Sequence, residues 1–167
     1  MGATRARARI PNQRPPHHTR GAPMTEAELF ASWQARKSAG SYYRLRAAAT
    51  VEAEFMRTAV PADGYARVRF SCSPADGLSL GFAAAWPDTL ARGEPAEMEA
   101  AIALAVVDEL VGRSMRPFRG CGLLLEEVGW HEVGSSEAAF RIATERALNG
   151  LRTDADAWER VSPGDPP

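Results

Sequence analysis

The side chains best suited to chemistry gather between Glu126 and Glu137: adjacent carboxylates at Glu126 and Glu127, the imidazole of His131, and the hydroxyls of Ser135 and Ser136. Carboxylate, imidazole and hydroxyl are the raw material of acid–base or nucleophilic catalysis when they converge on one point. This set is not expected to converge. Residues 121–128 read as a short apolar strand, whose neighbours alternate between faces, so Glu126 and Glu127 should point apart, with no nucleophile or metal set around them. What remains is hydrogen bonding and stacking by His131, Ser135 and Ser136, the chemistry of contact and not of reaction. The two serines also fit the start of a helix, where a hydroxyl satisfies an unpaired backbone N–H.

Metal and redox chemistry find little footing. Cys72 and Cys121 lie far apart on expected strands, which favours a buried reduced pair over a disulfide or a metal site. With three histidines and no CxxC there are few zinc donors, and His17 and His18 stand in a proline-rich stretch that would not fix their geometry. No GxxxxGK[ST] loop occurs, so neither a nucleotide nor another cofactor is expected.

A chain of 167 residues that is 45% hydrophobic can fill one core of ordinary size. It has no apolar run of eighteen residues, and its arginine-rich start does not read as a secretory signal. A cytoplasmic protein without membrane contact is expected. The net charge of -1 hides a split: residues 1–24 hold Arg5, Arg7, Arg9, Arg14, Arg20 and no acid, leaving 15 basic against 21 acidic residues in the rest. Residues 1–23, interrupted by Pro11, Pro15, Pro16 and Pro23, are expected to be a disordered basic tail. Such a tail can touch RNA through counterion release, unless translation starts at Met24.

The elements that must position the candidate residues follow from period and punctuation. Residues 24–40 hold a short helix and linker, opened by a Thr25–Glu28 capping box and carrying Leu29, Phe30 and Trp33 on one face. Residues 42–56 read as one long strand. After a turn at residues 61–64, Val68, Phe70 and Cys72 alternate with Arg67, Arg69 and Ser71 in a half-buried strand. A tight turn at Asp76-Gly77 then leads to a third strand through Leu78, Leu80 and Phe82. From Pro95 the helical period sets Met98, Ile102, Ala105, Val106 and Leu110 on one stripe, ending near Gly112 and Arg113. The strand at residues 121–128 follows. A second helix from Ser135-Ser136-Glu137 buries Phe140, Ala143, Ala147 and Leu151, with Gly150 placed to close it. The order β-β-β-α-β-α describes an α+β fold, a mainly antiparallel sheet backed by two helices, over residues 41–152. Residues 153–167 are expected to form a fringe around Trp158.

The stretch Trp130-His131-Glu132-Val133-Gly134-Ser135-Ser136-Glu137-Ala138-Ala139-Phe140 resembles the signature of domain IV in elongation factor G and its relatives. Tyr65-Ala66-Arg67-Val68 is similar to that family's tyrosine strand, and Tyr42-Tyr43-Arg44 to the strand that opens the domain. The resemblance covers about two thirds of the chain. It implies a ribosomal protein S5 domain 2-like fold whose tip combines two loops, residues 59–64 and 130–136. In the family this domain imitates the anticodon arm of a transfer RNA and enters the decoding centre. Carried over, the tip and RNA contacts would be Arg57, Asp63, Gly64, Trp130, His131, Gly134, Ser135 and Ser136.

Two departures bear on that expectation. Ala59-Val60-Pro61-Ala62-Asp63 replaces a glycine-rich loop, making it stiffer and less welcoming to phosphate. Gly134 stands where the family has a capping aspartate. Without a phosphate loop, the chain is not expected to act as a translocase alone. The expected role is a stand-alone module that meets the ribosome or its RNA through the tip. The alternative is a scaffold that kept the fold and binds another protein. A basic patch of Arg44, Arg46, Arg57, Arg67 and Arg69 would favour the first.

Overall fold

The computed structural model describes residues 40–57, 64–88, 90, 94–114, 116–132 and 134–163. The basic tail, the helix expected at residues 25–37 and most of the first tip loop, including Asp63, lie outside the described residues. The architecture is α+β: a six-stranded, mostly antiparallel sheet with two helices. Its elements are β1 (Tyr42–Leu45), β2 (Ala49–Met56), β3 (Tyr65–Pro74), β4 (Ser79–Phe82), α1 (Glu94–Val107), β5 (Phe118–Gly129), α2 (Glu137–Thr153) and β6 (Trp158–Val161). Among the described residues, no helix is long and apolar enough to cross a membrane.

β3 shows the expected alternation, with Ala66, Val68, Phe70 and Cys72 buried and Arg67 exposed. It pairs antiparallel with β2 on one side and β5 on the other. α2 covers the buried face, because Phe140, Ala143, Ala147, Leu148 and Leu151 recur at helical spacing and are all buried. α1 packs beside α2 through Met98, Ala101, Ile102, Ala105 and Val106. These faces close on a single core.

Five features depart from the sequence-based expectation. The long strand at residues 42–56 breaks at residues 46–48. β1 leaves the β2–β3 ladder and runs parallel to the start of β5, where Tyr43 stacks on Phe118 with ring centroids 4.7 Å apart. β1 can approach only because residue 120 is glycine: a Cβ there would lie 2.6 Å from Arg44 Cβ and 2.7 Å from its Cα. β4 does not form a hairpin with β3. It crosses to the opposite side of β5 and pairs there in parallel, Ser79 with Gly122 through Phe82 with Leu125.

The expected fringe supplies β6, which pairs antiparallel with β1 from Tyr42–Val161 to Leu45–Trp158. Trp158 is buried, meets Phe118 edge-on at 4.9 Å, and donates its indole N–H to the Leu151 carbonyl at 2.8 Å. α2 continues past Gly150 to Thr153, where the Thr153 hydroxyl donates back to the Asn149 carbonyl at 2.8 Å. The fifth departure is at the end of α1. The helix widens into a π turn over Asp108–Gly112, with Arg113 N–H donating to the Asp108 carbonyl at 3.0 Å. The turn buries Glu109, Leu110 and Val111 together.

The two thiols lie on the core side of adjacent strands, Cys72 opposite Leu123 and Cys121 opposite Pro74, and both are free. Burial pushes Cys72 up to about 11, with a smaller contribution from Glu126, and Cys121 up to about 12, with a smaller contribution from Cys72. Both should resist alkylation at pH 8 in the native protein and react at once in denaturant, measured by mass shift. The sign for stability follows. Below an unfolded thiol's pKa near 9 the neutral thiols cost nothing, and stability is lost as pH rises from there towards 11 and 12. Rapid alkylation without denaturant would show that the pair is not buried.

Candidate functional site

The described residues flanking the first expected tip stretch meet the second. β2 and β3 close at one end through the Arg57 N–H, which donates to the Gly64 carbonyl at 2.8 Å. The Tyr65 N–H then donates to the Gly134 carbonyl at 2.6 Å, tying that hairpin end to the loop after β5. Gly64 is buried, and a Cβ on it would lie 2.7 Å from Phe55 Cε1. The loop folds on itself, since the N–H groups of Gly134 and Ser135 both donate to the His131 carbonyl, at 3.1 and 2.9 Å.

Ser135 and Ser136 have separate tasks. The Ser135 hydroxyl accepts from the His131 N–H at 2.8 Å and donates to the Tyr65 carbonyl at 2.8 Å, so one side chain latches the loop after β5 to the start of β3. Ser136 is the N-cap of α2, extended at φ -152° and ψ 160°, and its hydroxyl accepts from the Ala139 N–H at 3.2 Å. The cap is therefore Ser136, and Gly134, two residues earlier, acts by backbone pairing with Tyr65. Ser135→Ala strands two backbone groups and should cost about 1–3 kcal/mol. Ser136→Ala should cost about 1 kcal/mol. Urea unfolding of both variants measures the order, and an equal or reversed order would remove the latch role from Ser135.

Trp130 and His131 turn in different directions. Trp130 is half-buried and stacks on Phe140 at 6.4 Å with 12° between the rings, so it braces the loop against α2 instead of standing free. His131 is exposed and meets Tyr65 edge-on at 6.5 Å. Arg57 is exposed beside the hairpin end, and no described acid forms an ion pair with it. Arg57, His131 and the acidic Glu132 are the exposed charged and imidazole side chains of the described tip, with Tyr65 half-buried beside His131.

The wider basic patch does not form. Arg44 pairs with Glu159 at 2.7 Å, Arg67 with Glu52 at 3.3 Å and Arg69 with Glu127 at 3.1 Å, while Arg46 donates to the Trp158 carbonyl at 2.9 Å. The partner glutamate raises the affinity of Arg44 and of Arg67 for its proton. The glutamates also depart from expectation. The β3–β5 register shifts between Arg69, opposite Glu127, and Phe70, opposite Leu125, leaving Glu126 as the extra residue of a bulge. Simple alternation fails there, and Glu126 and Glu127 are both exposed. Among the described residues no group of three or more metal-ligating side chains is present.

No protein-family model matches the chain, and no curated protein matches it. Among solved structures, the crystal structure of ttk003000868 from Thermus thermophilus is similar over 72% of this chain, with a TM-score of 0.54 and 20% identity. This chain spans 17% of that one. At that identity the likeness establishes a shared fold for the region.

Proposed function

We propose that this chain is a translation-factor-like module that touches ribosomal RNA through its tip, without a GTPase of its own. The observation that carries the reading is the joining of the hairpin end and the His131 loop by Ser135 and Gly134, with His131 exposed against Tyr65 and Arg57 exposed at the hairpin end. An imidazole edge can stack on or hydrogen-bond to an unpaired base, and a guanidinium can take a phosphate. Because Arg44, Arg67 and Arg69 already face carboxylates, the contact is small and local. That same pairing favours a second reading, in which the tip docks on a protein partner.

Co-sedimentation with ribosomes across a salt series separates the two. On the RNA reading, binding falls as salt rises, Arg57→Ala lowers the salt slope by about one, and His131→Ala weakens binding at every salt concentration. Absence of binding at low salt would leave the protein-docking reading standing.

A further inference from the structure

α1 and α2 lie side by side and run in the same direction: Glu97 and Glu137, in their first turns, line one end of a shared groove, and Glu109 meets Arg152 beyond the other. The groove opens to solvent, with a volume of about 600 Å³ and a floor that includes Ala100, Leu104 and Ala138. All three are exposed. Leu104, at 55%, is the one large apolar side chain on a described helix that stays mostly in water. A single surface leucine is ordinary. This one continues into two alanines and is bordered by acids with no partner.

Glu97 and Glu137 are exposed, and among the described residues neither carboxylate forms an ion pair or a hydrogen bond. By contrast, Glu99 holds the Trp86 indole and Glu145 holds Arg113 and Arg141. The helix dipoles favour acids in these first turns but leave the carboxylates open to a cation. Arg141, at the other end of the groove, is already paired with Asp108 at 2.9 Å and Glu145 at 3.2 Å. The free charge of the groove is therefore negative. Small side chains on its floor let a third helix approach to the usual packing distance of about 8–10 Å. Glu97 and Leu104 lie two turns apart, about 10 Å along α1. A helix laid in the groove would set an apolar side chain beside Leu104 and a second over Ala100 and Ala138. One turn further, a lysine or arginine would meet Glu97 and Glu137. A second copy of the groove has no unpaired base to offer these acids.

We infer that the α1–α2 groove is the docking site for an amphipathic helix of a partner protein, which carries two apolar residues one turn apart and a lysine or arginine one turn beyond. Leu104 supplies the apolar anchor, and Glu97 with Glu137 selects the basic end. The inference does not rest on the RNA reading, since none of Arg57, Tyr65 and His131 lines the groove.

Titration of the full chain with three synthetic alanine-based helical peptides, followed by amide NMR shifts, tests this. The first peptide carries two leucines and an arginine on successive turns of one face, the second has glutamate in place of that arginine, and the third scrambles the first. The first should bind saturably below about 1 mM and move the amides of Ala100, Leu104 and Ala138, while the other two do not bind. Leu104→Glu should weaken binding about tenfold or more. Glu97→Gln together with Glu137→Gln should weaken it about fivefold and flatten its salt dependence. All three positions are exposed, and unchanged shifts outside the groove verify that the variants keep the fold. No binding of the first peptide by about 1 mM, equal binding of the scrambled peptide, or binding that survives Leu104→Glu overturns the inference. A dimer of the chain that Leu104→Glu abolishes assigns the groove to a second copy and overturns it too.

Discussion

Phe140→Ala is expected to destabilise the protein by about 3–5 kcal/mol, the range for removing a fully buried aromatic ring that its surroundings cannot refill. Phe140 has no exposed surface and lies between two indoles, Trp86 edge-on at 5.3 Å and Trp130 stacked at 6.4 Å. Neither indole can collapse freely into the gap. Trp86 is anchored by its N–H, which donates to Glu99 Oε1 at 2.9 Å, and Trp130 follows directly on β5. The loss therefore reaches the tip, because Trp130 leads directly into the His131 loop. Phe140→Leu keeps most of the volume and should cost less than about 1.5 kcal/mol. Chemical denaturation of both variants is the measurement. A cost below about 1 kcal/mol for the alanine variant would mean that the aromatic stack does not support the loop.

Glu109→Ala should be nearly as costly, at about 3 kcal/mol, the lower end of the range for removing one partner of a buried ion pair. The Glu109 side chain is fully buried on the π turn. Arg152 Nε donates to its Oε1 at 2.8 Å. Arg113 Nη1 lies 2.7 Å from Oε2 but off the line of a good hydrogen bond, so this second contact is mainly one of charge. Removing the carboxylate leaves two arginines whose side chains are 52% and 25% exposed. Their partial access to water is why the lower end is expected. The network continues outward, as Arg113 also reaches Glu145 at 3.4 Å and Arg141 pairs with Asp108 at 2.9 Å, tying the end of α1 to α2. Replacing Glu109, Arg113 and Arg152 together with Met and Leu should recover most of the loss, because no unpaired charge then remains. If Glu109→Ala unfolds at the same denaturant concentration as the parent, the buried pair contributes nothing.

Glu109 was legible in part. It lies three and four residues after Val106 and Ala105, so helical spacing puts it on the buried stripe. A carboxylate in that position signals a buried partner, but Arg152 is 43 residues away, and nothing local announces it. Ser135 is a similar case. A serine next to a helix start reads as a cap, and the cap is there at Ser136, yet the partner that makes Ser135 a latch is the Tyr65 carbonyl, 70 residues upstream.

Whatever follows from the local backbone period could be read along the chain. Alternation in β3, the buried stripe of α2 and the start of that helix were all legible, because each residue's facing follows from its own strand or helix. Which elements become neighbours, and in what register, is set by packing between segments far apart in the chain. It split residues 42–56 into strands of two different pairings, carried β4 to the far side of β5, and drew residues 158–161 in beside β1. It also disposed of the expected basic patch: Arg44 finds Glu159 across 115 residues and Arg69 finds Glu127 across 58. Whether a charge is free or paired depends on what lies opposite it, and that is set by register between strands distant in the chain.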